Sequence, residues 1–352
     1  MIAWNTASKV AKGVIATFPK EDHAELTAME SNLAEFGGEA LALVQAASNL
    51  RLRESNLAVR VTTRSQWVDA NVASMSQLMD PVITKLAGSI PGPFASLGAQ
   101  AGAVQFGLLF GWMSKRVLGQ YDAALFANSQ SNSEIGSTPI YVVGSNITSL
   151  ETRFGFPKSQ FERWVLLHEL THKLQFEAVP WMLEYYRGLV TSLIDKMNIG
   201  PGDLFESLTR LVEDLKDGRN PLREAGLAGI FVSDEQRAIL SRLGGLMSVL
   251  EGHGDLIMAK AATSVIPEAQ RFEEVLHQKR ESPNLMAKIV SQLYGFDAKL
   301  RQYEAGAKFL KKIEEQAGQD ALTRLFEASE NMPDLDEIAN PERWLSRVMA
   351  LA

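Results

Sequence analysis

Long stretches of the chain place apolar residues every three or four positions, the spacing of one face of an α-helix. Turn-forming clusters at Pro91-Gly92-Pro93, Asp217-Gly218-Arg219-Asn220-Pro221 and Asn340-Pro341 punctuate them. No internal repeat or low-complexity segment is visible. One segment has a different character. Pro139-Ile140-Tyr141-Val142-Val143-Gly144 is β-branched and aromatic, follows turn-forming Ser and Gly, and reads as a strand. Gly144-Ser145-Asn146-Ile147 either continues or ends it. The expectation is an α+β fold, predominantly helical, with a small sheet.

Helix starts are marked in two places. Ser159-Gln160-Phe161-Glu162 has capping-box spacing, which predicts a helix through Trp164, His168 and His172 to about Glu177, closed by Pro180. Ser233-Asp234-Glu235-Gln236 repeats the pattern and predicts a helix continuing past Glu251, with Gly244-Gly245 and Gly252-His253-Gly254 as possible bends. Further helices are expected at about Pro283 to Gln316 and Pro341 to Met349. The stretch from Leu97 to Met113 is apolar apart from Gln100 and Gln105, and it pairs Gly98 with Gly102 and Gly107 with Gly111. A bilayer needs about 20 residues, and two amides are costly in lipid. The segment therefore reads as a central helix packed closely on its neighbours through glycine, rather than as a membrane anchor.

Composition narrows the chemistry. At 46% hydrophobic residues the 352-residue chain can bury a sizeable core, and disorder is excluded as its main state. Its 35 basic and 42 acidic side chains give a net charge of −7, which supplies no basic surface for nucleic acid. The N-terminus lacks a basic stretch followed by an apolar run, so the cytoplasm is the default compartment. There is no cysteine. Disulfides, a catalytic thiolate, iron–sulfur clusters and cysteine-held zinc are all excluded. Any metal site must use His, Asp and Glu, and only His23, His168, His172, His253 and His277 are available.

Three of these five fall in two short motifs. His168-Glu169-Leu170-Thr171-His172 is an H-E-x-x-H sequence. On a helix its histidines lie one turn apart on one face, where both can reach one zinc ion. Glu169 then sits beside the metal rather than on it, placed to take a proton from water. If the helix merely lay on a surface, the histidines would be incidental. However, Phe161, Trp164, Val165, His168, Thr171, His172 and Gln175 form an inward stripe, and inward imidazoles without partners would be costly. A third ligand is needed for a catalytic site, and Leu250-Glu251-Gly252-His253-Gly254-Asp255 offers two. Glu251 and His253 point about 200° apart on a regular helix, so only one can bind. Glu251 is preferred, with Asp255 as an acceptor for an imidazole N–H. His253 is left as a transition-state donor, or as a ligand should the glycines break the helix. His23 reads as a solvated helix start and His277 as an exposed helical face.

The segment from Trp164 to Phe176, with Pro180-Trp181 after it, resembles a bacterial family of zincin-like proteins. Its members are labelled zinc-dependent metalloproteases or hydrolases, some in association with biosynthesis of a deazaflavin coenzyme. Trp67 to Asn71, Val117 to Asp122, Leu250 to Asp255, Gly295 to Glu304, Asn331 to Pro333 and Asn340 to Trp344 are also similar to family segments. Lys173 and Leu174 stand where the motif varies, and neither would touch zinc. The resemblance implies a zincin-like core with a small sheet beside the active-site helix. Residues 1–135 would form an N-terminal helical region and 136–352 the catalytic region, together one compact unit. It also implies Zn2+ held by His168, His172 and Glu251, with Glu169 as base. The expected activity is hydrolysis of a peptide or small amide, with no nucleic-acid partner and no membrane. A non-catalytic zincin-like metal protein is the alternative. His253, Tyr121, Arg301 and Tyr303 are candidates for the oxyanion donor.

Overall fold

The computed structural model describes residues 3–18, 21–52, 57–87, 92–121, 139–196, 233–281 and 296–349. The helical periodicity becomes α1 (Trp4–Ile15), α2 (His23–Ser48), α3 (Arg64–Ala87), α4 (Gly92–Met113), α5 (Gly144–Phe154), α6 (Lys158–Glu177), α7 (Met182–Asp195), α8 (Asp234–Ala262), α9 (Ala269–Glu281), α10 (Phe296–Arg324), α11 (Leu335–Ala339) and α12 (Pro341–Met349). Among the described residues three strands accompany them: β1 (Val59–Thr62), β2 (Gly119–Tyr121) and β3 (Ile140–Val143). The fold is predominantly helical α+β with a small mixed sheet. The chain divides into two compact units, Met1–Ala178 with Met258–Phe272, and Val179–Ile257 with Glu273–Ala352. The turn cluster at Asp217 to Pro221 and the expected helix between Pro283 and Gly295 lie outside the described residues.

In the first unit the expected strand is β3, whose Ile140, Val142 and Val143 are fully buried. It is the middle strand of the sheet, in the order β1-β3-β2. β1 runs parallel to it, with Val59 opposite Ile140, and β2 antiparallel, with Gly119 opposite Val142. Gly144 ends the strand and starts α5. A Cβ there would lie 2.4 Å from Leu26 Cδ2 and 2.7 Å from Val61 Cγ1, so only glycine admits this approach of α2 and β1. Buried Arg64 then ties the sheet to its helices. Its Nε donates to Asn146 Oδ1 at 2.8 Å, and the Asn146 amide donates to the carbonyls of Ser114 (2.8 Å) and Val117 (2.6 Å).

The apolar stretch ending at Met113 is α4, and α1 packs along it. A Cβ on Gly107 would meet Ala7 O at 2.6 Å and Val10 Cβ at 2.7 Å, and one on Gly111 would meet Val14 Cβ at 2.7 Å. The glycines therefore serve close helix packing, as their spacing implies. No helix among the described residues is long and apolar enough to cross a membrane.

The two capping boxes diverge. At α8 the Ser233 amide donates to Gln236 Oε1 at 2.7 Å, and the Gln236 amide to Ser233 Oγ at 3.2 Å. At α6 the box does not form. The helix starts at Lys158 with extended Pro157 as its N-cap, and no side chain caps it. Burial decides the difference, because Glu162 is only 4% exposed and turns inward. Across from it Glu151 is 3% exposed, and both of its carboxyl oxygens lack a hydrogen-bond partner among the described residues.

In the second unit α8 continues through the expected bends without interruption. Its glycines are contact points instead. A Cβ on Gly245 would lie 2.1 Å from Pro333 O, and one on Gly252 would lie 2.5 Å from the Gly306 backbone on α10. α10 itself has one left-handed residue, Gly318 at φ 79°. Trp344 on α12 is fully buried, packs edge-on to Phe309 and donates to Asn331 O at 2.6 Å.

Two predictions follow from this packing. Gly107→Ala forces α1 off α4 and lowers stability by about 1–3 kcal/mol, read as a fall in the urea midpoint. The second concerns Glu151, whose carboxyl is pushed up to about 8, first by burial and then by Glu162, with Lys158 opposing. Native Glu151 therefore holds its proton more tightly than the unfolded chain does, between the ordinary value of 4.5 and about 8. Stability contributed by this group falls as pH rises through that window. Glu151→Gln removes the loss, and the variant should exceed the parent by on the order of 2–4 kcal/mol at pH 8.5 while matching it near pH 4.5, measured by urea denaturation.

Candidate metal centre

α6 is enclosed on several sides, with Phe161, Leu166, Leu167, Leu170 and Leu174 fully buried. That packing holds the two motif histidines one turn apart. Their Nε2 atoms lie 3.1 Å from each other, and the rings stand at 90°. Two nitrogens bound tetrahedrally to one zinc ion at 2.0–2.1 Å sit about 3.3–3.4 Å apart, so the spacing fits a shared cation. His172 Nδ1 is 2.9 Å from Gln175 Oε1. An amide oxygen can only accept, so Nδ1 carries the proton and donates, and the Nε2 lone pair is left facing His168. Gln175 is fully buried and cannot swing away into water. The His168 ring stacks at 12° on Trp164, which meets Phe272 edge-on.

Periodicity puts Gln175 on the inward stripe without giving it a role. The signal was its spacing, since three residues past a histidine is the distance at which a helix brings two side chains together.

Glu169 is 6% exposed and faces β2. A Cβ on Gly119 would fall 2.5 Å from Glu169 Cγ and 2.6 Å from its Oε1, so the strand backbone forms the wall against this carboxylate. One turn on, Lys173 Nζ is 2.5 Å from Glu177 Oε1, to which the Tyr121 hydroxyl donates at 3.2 Å.

Glu251 and Asp255 are half-buried on α8. His253 is 7% exposed, with its ring 4.7 Å from that of Phe326. Because α8 is regular there, Glu251 and His253 leave the helix in different directions. His168 and His172 of the first unit and Glu251 of the second could each offer one ligand atom to a metal ion. His253 is not among these donors. His23 is exposed at the start of α2. The side chains of His277, Arg301 and Tyr303 lie outside those described.

Against known proteins, the family model for zincin-like metallopeptidases matches residues 2–345. The chain belongs to the zincin-like metallopeptidase family. This zincin-like chain is also similar to a solved structure, "a putative hydrolase with a novel fold" from Chloroflexus aurantiacus. The two are 27% identical, with a TM-score of 0.72 over 99% of this chain and 98% of the other. No curated protein matches the chain significantly. Family and neighbour together support a metallohydrolase.

Two imidazole nitrogens and a carboxylate oxygen are the donors zinc takes in hydrolytic sites, and the zincin-like chain has no cysteine to compete. The Gln175 contact is directly testable. Gln175→Ala frees the His172 ring to rotate and should weaken zinc binding about 10–100-fold, measured by competition with a chromophoric chelator.

Proposed function

We propose that the protein is a zinc-dependent metallopeptidase that cleaves a peptide or small amide, with Glu169 as general base. The observation that carries this reading is the pair of His168 and His172 Nε2 atoms 3.1 Å apart on α6, with Glu169 between them in sequence and Glu251 on α8 as the carboxylate donor. A site built only to hold a metal has no use for the Glu169 carboxylate.

Zinc in such a set polarises a carbonyl and lowers the pKa of the water it carries to about 7. The remaining work belongs to the chain. His168 and His172 present their Nε2 lone pairs, and Gln175 holds His172 in the tautomer that allows it. Glu169 takes a proton from the attacking water at its carboxylate and returns it to the departing nitrogen. Burial limits its rotamers, and the bare Gly119 backbone leaves its carboxylate room on the strand side. Substrate can be received at β2. This strand is bonded to β3 on one side, and among the described residues no strand pairs with its other edge. An extended peptide adds to such an edge through main-chain hydrogen bonds. We assign His253 no step, since its ring lies buried on Phe326.

The test compares three proteins for metal content and for hydrolysis of an internally quenched peptide library. Wild type should carry one zinc and cleave. His168→Ala should lose both properties. Glu169→Gln should keep the zinc and lose about 10²–10⁴ in turnover, the range for a general acid–base group. Zinc bound with equal turnover in Glu169→Gln would refute the role of the carboxylate.

A further inference from the structure

Glu169, Lys173 and Glu177 are each four residues apart and share one side of α6. β2 lies on that side. Side chains alternate along a strand, so Gly119 and Tyr121 face α6 and Gln120 faces away. The contacts follow this rule. The Gly119 backbone abuts Glu169. The Tyr121 ring stacks on Phe176 at 5.9 Å, and its hydroxyl donates to Glu177 Oε1 at 3.2 Å. Lys173 Nζ lies 5.6 Å from the Tyr121 ring centroid and 2.5 Å from Glu177 Oε1. On the opposite face Gln120 accepts from Trp67 Nε1 at 2.7 Å and donates to Asn71 Oδ1 at 3.1 Å.

Lys173 has no exposed side-chain surface, and Glu177 has little. Enclosing an ion pair in this way seldom adds stability over an apolar pair of the same volume. Its value lies in specifying one arrangement. β2 needs such a device, because among the described residues it has three residues and a single strand partner. A slip of two residues would set Val117 or Tyr121 against Glu169, where even a Cβ does not fit.

We infer that Lys173, Glu177 and Tyr121 are positioning residues that hold β2 in register on α6, so that a glycine backbone and no side chain meets Glu169. The consequence for catalysis rests on the reading of β2 as the strand that receives substrate; the register itself does not.

Hydrogen–deuterium exchange on the full chain tests this with Tyr121→Phe, which deletes one hydroxyl and leaves the ring on Phe176. Exchange at residues 119–121 should rise about tenfold, the scale of one lost hydrogen bond, while α6 and β1 keep wild-type rates. Unchanged rates in β2, or an equal rise across α6 and β1, would overturn the inference. On a quenched peptide that wild type cleaves, the variant should raise KM severalfold at constant kcat. An unchanged KM would count against it. If wild type cleaves no peptide, the functional reading fails, and the exchange result still decides the register.

Discussion

A helix that offers two imidazoles and a carboxylate at a candidate metal centre has to bury polar atoms on a segment whose other faces are apolar. α6 meets this demand by making each polar atom answer to a particular neighbour. His172 answers to Gln175 through its Nδ1 proton, and His168 to the Trp164 ring. Glu169 answers to a strand that presents only backbone. If the helix were rotated by one residue these pairings would all fail together, since its buried leucines leave no alternative face to turn inward. The orientation of α6 is thus the constraint on which the rest of the site depends.

Absent side chains do much of the positioning. Gly107 and Gly111 let α1 close onto α4, Gly144 lets α5 begin against α2 and β1, and Gly119 lets β2 close onto Glu169. In each case a single methyl would overlap an atom already there. These glycines act through space they leave to others and not through their own conformational freedom. The dense interior passes such small changes on to its neighbours.

Buried charge is handled in two ways within the first unit. Lys173 is neutralised by Glu177 in a contact that also engages Tyr121, so its cost is offset by a specified geometry. Glu151 has no such partner among the described residues and faces Glu162, so protonation is its way of escaping an unpaired charge. One arrangement fixes a register, and the other makes the fold sensitive to pH.

Local chemistry was readable along the chain wherever neighbours in sequence are neighbours in space. The histidine pair four residues apart, the β3 strand, the glycine-spaced helix and the capping box at Ser233 all depend on short-range spacing, and all took the expected form. The matching box at Ser159 did not, because Glu162 was claimed by a distant buried surface that no local pattern reveals. The possible bends in α8 were likewise contact glycines, whose partners Pro333 and Gly306 lie far along the chain. By itself, the sequence determined which donor atoms a metal centre could use, through its lack of cysteine and its few histidines. Tertiary structure alone decided which backbone faces Glu169, which residue orients His172 and which charges are paired, because burial and contact are set by segments whose meeting no local spacing encodes.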